Sequence, residues 1–275
     1  MSDSYLPPDA ETVTPVPAAS VILVRETSRK FEFFMARRHI KSDFAPDVYV
    51  FPGGKADPDD AVDPSFVTES PDPVLADRDE PEVGWTAIRM AAIRELFEEC
   101  GLLLARRPDG TWADEDGRPE VRERLAADRH EVKSGRLTMI ELARRDKLVF
   151  CQDELVLYSN WITPEVLTRR FDTFFFLARL PDNHQPRLAD EDELTHAMWI
   201  SPSNALARFR DGKFPLIFAT ERHLEQLQTF GSADQLFQSC RGRAIPTISP
   251  RWIEQNEARV FLIPGDENYD SARVR

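Results

Sequence analysis

The sequence predicts an α/β (α+β) domain carrying a C-terminal, mainly helical extension, and three observations lead there. Strand-like runs alternate with a few helical patterns, no internal repeat recurs at a solenoid period, and helical patterns dominate after about residue 204. With 275 residues, 41% of them hydrophobic, the chain can bury one sizeable core.

Taken in order, residues 1–18 are rich in Pro, Ser, Thr and acid and read as a flexible leader. The stretches 19–25 and 31–37 read as two strands joined by a polar turn, and Val48-Tyr49-Val50-Phe51 as a third strand. Pro52-Gly53-Gly54 then marks a sharp turn where backbone can approach a ligand closely. From Ala61 to Val83 the chain is acidic, broken by prolines and without period, so it reads as a surface insertion. A helix follows from Gly84 to Cys100, with Gly101 as its stop. Leu102–Ala105 reads as a short buried strand, 119–130 and 137–146 as helices, and 155–162 and 171–180 as strands. The Phe174-Phe175-Phe176 run is read as core packing. Ala197–Ile200 is a further strand, and Ser201-Pro202 opens a helix by the N-cap-then-Pro signal. Helices fill 216–240, and Arg259–Ile263 is a last strand.

Composition excludes several functions. A formal charge of −13 repels nucleic acid and anionic membranes, and no apolar run is long enough to span a bilayer. Three cysteines without CxxC spacing and five scattered histidines argue against a disulfide framework or a His/Cys metal site. Basic residues gather early, at Arg25, Arg29, Lys30, Arg37, Arg38, His39 and Lys41.

The chemistry concentrates on the helix ending at Gly101. At ~100° of rotation per residue, Glu95, Glu98 and Glu99 share one side, while Met90, Ile93, Leu96, Phe97 and Cys100 face a core. A Glu-rich helix face is usually only a solvated face. Like charges three and four positions apart repel, however, and a divalent cation would relieve them.

The upstream residues decide between these readings. Arg94-Glu95-Leu96-x-Glu98-Glu99-x-Gly101-Leu102, preceded by Phe51-Pro52-Gly53-Gly54, resembles the motif of Nudix hydrolases, G-x5-E-x7-R-E-U-x-E-E-x-G-U with U a bulky aliphatic residue. It departs from that pattern twice: Asp60 stands where the first acid is a Glu, and 34 positions separate it from Arg94 instead of the family's 8. Asp57 or an acid of the insertion are the alternatives for its role. The interruption resembles the split-box branch of peroxisomal-type coenzyme A diphosphatases and their bacterial relatives. Phe44-x-Pro46-x-x-x-Val50-Phe51, Trp161-x-Thr163-Pro164 and Arg169–Thr173 add to the likeness, which spans about 19–203.

The resemblance implies an α/β/α sandwich with a mixed sheet over 19–203, an acidic insertion at about 61–83, and an extension over 204–275 packed on the same domain. It implies a metal-dependent enzyme, using Mg²⁺ or Mn²⁺, that cleaves a nucleoside diphosphate-linked small molecule, with coenzyme A or its acyl thioesters foremost. NADH, ADP-ribose and dinucleoside polyphosphates are alternative substrates, and a non-catalytic nucleotide-binding module is the alternative from another class. Glu95, Glu98 and Glu99 become metal ligands and Glu95 a second candidate for the base. A carboxylate before the strand of Trp199, Glu193 or else Glu191, is the first candidate. Arg94, taken to point away from the carboxylate arc, supports a glutamate through a bidentate pair, with Asp60 as a further support. Gly53, Gly54 and Arg38 contact substrate. The chain ends Ala272-Arg273-Val274-Arg275, which is not a peroxisomal tripeptide. The three cysteines suit reduced thiols, so a cytoplasmic location is expected, with a homodimer as the candidate assembly.

Overall fold

The computed structural model describes residues 5–6, 10–28, 30–42, 45–113, 119–188, 193–256 and 258–274. The first elements are β1 (Val16–Glu26), β2 (Phe31–Arg38), β3 (Tyr49–Val50), β4 (Gly53–Lys55) and α1 (Gly84–Cys100). Next come β5 (Ala105–Arg106), α2 (Pro119–Lys133), α3 (Met139–Asp146), β6 (Val149–Phe150), β7 (Val156–Ile162), β8 (Phe171–Arg179) and β9 (Leu194–Ile200). The remainder is α4 (Pro202–Arg210), α5 (Phe218–Leu227), α6 (Ala233–Cys240), β10 (Thr247–Ile248), β11 (Arg251–Gln255) and β12 (Ala258–Leu262).

A mixed sheet in the order β10-β7-β8-β1-β2-β3, with β4 also on β1 and β9 also on β2, forms the middle layer. The central pair β1 and β8 is parallel over nine registered residues, from Val16 opposite Phe171 to Val24 opposite Arg179. Both faces of this pair are covered, which explains why β1 is buried without a break from Ala18 to Val24. Val21 and Leu23 pack with Phe174, Phe176 and α1 on one side. Ile22 and Val24 pack with residues of α4, α5 and α6 on the other. The molecule is therefore an α/β/α sandwich, and the helices after residue 204 form its second helical layer.

Several local expectations change. β1 begins at Val16, inside the stretch read as leader. Leu102–Leu104 are buried, but strand geometry starts only at Ala105. Gly53 and Gly54 belong to a strand that pairs with Ser20 and Ala19, so the sharp turn is also sheet. The insertion is a strap rather than a free surface loop. Val67 bridges to Phe150 and Leu75 to Ile245, while Val62 and Leu75 are buried in the α1-side core. Arg78 pairs with Asp172 at 2.7 Å, and buried Arg89 with Asp72 at 3.1 Å. Beyond α6, β10 adds to the main sheet beside β7, and β11 and β12 form a hairpin. Arg29, Phe44 and Glu191 lie outside the described residues.

Candidate active site

The site forms where β4 passes between β1 and the C-terminal half of α1. Ser20 fixes the approach, its hydroxyl donating to the Pro52 carbonyl at 2.9 Å. A Cβ on Gly53 would stand 2.4 Å from the Ala19 carbonyl oxygen, and one on Gly54 only 2.3 Å from Glu95 Oε1. Gly53 lets this strand lie against the β1 backbone, and Gly54 leaves room for the Glu95 carboxylate. The Gly53 N–H uses the closeness to donate to Glu99 Oε2 at 2.9 Å. Gly101 ends α1 in the left-handed conformation, at φ 65°, and its N–H donates to the Phe97 carbonyl.

Arg94 corrects an expectation. It lies among the acids instead of pointing away, because it stands only ~40° of helical rotation from Glu98. Its Nη1 donates to Glu95 at 2.8 Å and Glu98 at 3.1 Å, and its Nη2 to the Lys55 carbonyl at 2.8 Å. Nε and Nη2 grip Asp60 as a bidentate pair at 2.9 and 3.0 Å. Asp60 is 1% exposed, and its second anchor is the Asp57 N–H, which donates to it at 2.8 Å. Asp57 itself caps the short helical turn that presents Asp60. The bidentate support foreseen for a glutamate is thus given to the aspartate 34 positions away.

Burial dominates the electrostatics. It raises the Glu95 pKa to about 7, with the Glu98 and Glu193 charges adding and Arg94 opposing. Burial pushes Glu99 well above the usual carboxylate range, the charge of Glu95 adding to it. Glu98 and Asp60 are raised for the same first reason, against the pull of Arg94.

The remaining predicted residues lie at the rim. The Glu193 carbonyl accepts from the His39 N–H at 2.8 Å, and its half-exposed carboxylate meets Lys133 at 3.3 Å. Arg38, opposite Leu194 in the β2–β9 ladder, exerts its charge on Glu99. Its Nε is buried without a hydrogen-bond partner. Lys133 was missed from sequence, as was Arg129, whose Nε donates to the Glu98 carbonyl at 2.8 Å. Their i, i+4 spacing at the end of α2 is common on solvated helices and gave no signal.

The three glutamates share one side of α1, as expected, but do not converge on one point. Among the described residues no three acidic, histidine or cysteine side chains form a metal-ready group. Glu95 and Glu98 are drawn to Arg94, and Glu99 to the Gly53 N–H. The donor set nonetheless fits a hard divalent cation. Three carboxylates, those of Asp60, Glu95 and Glu98, share the one Arg94 guanidinium, and Glu99 lies close enough to feel the charge of Glu95, so the acids outnumber their cation and a divalent ion would relieve them.

The sandwich and the helix bearing Arg94, Glu95, Glu98 and Glu99 are those of a Nudix hydrolase. The model of the NUDT19 Nudix domain matches residues 57–218, more than half of the chain, and the chain belongs to that family. The acyl-coenzyme A diphosphatase NUDT19 of Xenopus laevis is 28% identical over 274 residues, covering 87% of this chain and 71% of the relative. The human protein of the same name is 28% identical over 276 residues, covering 87% and 72%. A crystal structure of a Nudix hydrolase from Alicyclobacillus acidocaldarius is 28% identical, covers 83% of this chain and 97% of that one, and superposes with a TM-score of 0.65.

Proposed function

We propose that this enzyme hydrolyses the diphosphate of coenzyme A or acyl-coenzyme A, with Mg²⁺ or Mn²⁺, to 3′,5′-ADP and (acyl-)phosphopantetheine. The observation that carries the hydrolytic reading is the grip of Arg94 on Asp60 together with Glu95 and Glu98, which reunites the two halves of an interrupted motif in one acid cluster. The names of the relatives support the choice of substrate.

Glu95, Glu98 and Glu99 would hold the cation. Bound there, a divalent ion supplies charge neutralisation for the diphosphate and acidifies water. Arg94 fixes Glu95 and Glu98, the Gly53 N–H fixes Glu99, and Asp60 fixes Arg94. Glu193, on the rim beside the cluster, takes the proton from the attacking water as its oxygen bonds to phosphorus and the bridging P–O bond breaks. Lys133 and Arg38 meet the phosphate oxygens, so the pairing of Lys133 with Glu193 gives way to substrate.

Among the described residues no helix is long and apolar enough to cross a membrane. All three cysteines are free and buried, which suits a reducing compartment, and we place the protein in the cytoplasm without a nucleic-acid partner. Whether it works as a homodimer is read by light scattering. A mass-spectrometric screen with Mg²⁺ or Mn²⁺ tests the reaction. Coenzyme A should give 3′,5′-ADP and phosphopantetheine; preference for NADH, ADP-ribose or a dinucleoside polyphosphate would move the substrate, and no cleavage of any of them would sink the proposal.

A further inference from the structure

A second feature shares the sheet face of the acid cluster. A cleft of about 620 Å³ opens along β9, lined by Phe34, Ala197 and Trp199 of the sheet and by Leu180, His184 and Leu188 of the loop after β8. That volume is within the range of small-molecule sites, about 300–1,000 Å³.

Strand geometry ties the cleft to the reaction centre. Alternate residues share a face, so Phe34, Ala36 and Arg38 follow one another along β2, with Trp199 opposite Phe34 and Ala197 opposite Ala36. At ~3.3 Å per residue, Phe34 lies ~13 Å along the strand from Arg38, the residue whose charge reaches Glu99. From the other side, the Arg187 N–H donates to the Cys100 carbonyl at 2.7 Å, so the loop bearing Leu188 is fastened to the end of α1. The cleft therefore lies on the sheet face that carries Arg38, with its Phe34 wall ~13 Å along β2 from that residue.

Its lining is mixed, with an apolar wall suited to aliphatic contact beside the polar Gln185, Thr195 and His196. Leu180, Leu188, Ala197 and Trp199 pack on the α1-side core and are half-buried. Two of the polar groups that line it, Arg25 and His184, are engaged. Arg25 is bound to Glu32 at 2.6 Å and lies over Trp199 at 4.5 Å, while His184 Nδ1 is 2.7 Å from the Asp182 carbonyl. Phe34 meets the Trp199 ring edge-on at 5.4 Å. The aromatic rings are thus occupied by protein groups, which disfavours base stacking there and leaves room for a chain-like, weakly polar group.

We propose that this cleft receives the acyl-pantetheine arm of the substrate, with the 3′,5′-ADP portion directed elsewhere. The assignment rests on the coenzyme A reading above. Product binding by calorimetry separates the two. Ala197→Phe fills the cleft from a sheet position, and Leu188→Asp places a charge on its loop wall without entering the sheet. Each should weaken phosphopantetheine binding about tenfold or more and leave 3′,5′-ADP binding within about twofold, with melting temperature as the check on folding. Equal weakening of both products would put the nucleotide in the cleft and overturn the assignment, as would unchanged binding of both. If one variant does not fold, the other carries the same decision. Failure of the coenzyme A reading would show separately, as wild-type enzyme that leaves coenzyme A uncleaved.

Discussion

Replacing Arg94 by Leu should cost far more stability than losing an ordinary surface pair. Asp60 is 1% exposed and the Arg94 side chain 14%, so the bidentate pair is shielded from water. Removing the guanidinium strands an aspartate whose pKa burial already raises, and frees Glu95 and Glu98 to repel one another. Breaking a buried pair from one side costs about 3–5 kcal/mol, whereas replacing both partners by apolar groups is often nearly neutral. Arg94→Leu should therefore lose about 3 kcal/mol or more, and Arg94→Leu/Asp60→Leu should recover at least about half of that. Urea denaturation in EDTA, with m-values compared across the cycle, reads both quantities free of bound metal. A loss below about 1 kcal/mol, or strictly additive single changes, would refute Asp60 as the partner that closes the interrupted motif.

Three further predictions follow the same structure. Gly54→Ala should cut turnover ~100-fold with little change in melting temperature, since its Cβ would displace the Glu95 carboxylate, a flexible side-chain end. Gly53→Ala meets the Ala19 and Ser20 backbone instead and should destabilise the fold, so equal thermal behaviour of the two would contradict the packing. Lys133→Met should raise KM about tenfold while changing stability by less than about 1 kcal/mol, because its ion pair with Glu193 is part-exposed; unchanged KM would remove Lys133 from substrate binding. Buried His223, hydrogen-bonded to Ser159 at 2.7 Å, has its pKa lowered by burial to about 3. The unfolded chain binds that proton from pH 6.5 downward, so this group's stability contribution is present above pH 6.5 and falls by ~1.4 kcal/mol per pH unit toward pH 3. His223→Phe with Ser159→Ala should flatten the acid limb of a urea stability profile by about one proton, and an unaltered slope would contradict it.

What the sequence made legible was whatever is local and periodic. α1 from Gly84 to Cys100, its left-handed stop at Gly101 and the Ser201 cap of α4 all follow from short-range rules. The glycines were legible as close-approach positions, although not as a strand beneath Glu95. Arg94 was misplaced by treating its rotation relative to the acids as decisive, when a long side chain at i, i+4 from Glu98 reaches back among them. The strap role of 61–83 was illegible because its ties run to Phe150, Asp172 and Ile245, far away in sequence and without period. β10, β11 and the cleft beside β9 were missed for a related reason: the two-residue pairing of β10, the partner of β11 in its hairpin, and a cavity all depend on what packs opposite them.

The central claim is that the buried acids of α1 act together on a diphosphate, and turnover by Glu98→Gln tests it most directly. Glutamine keeps the volume and the hydrogen bonding while removing the charge, and Glu98 is only one of three acids held by Arg94, so the fold should persist. With coenzyme A and Mg²⁺ or Mn²⁺, release of 3′,5′-ADP followed by mass spectrometry should fall at least ~100-fold, with melting temperature within a few degrees of wild type. Release at a rate near that of wild type, from a variant confirmed as the glutamine protein, would contradict the account.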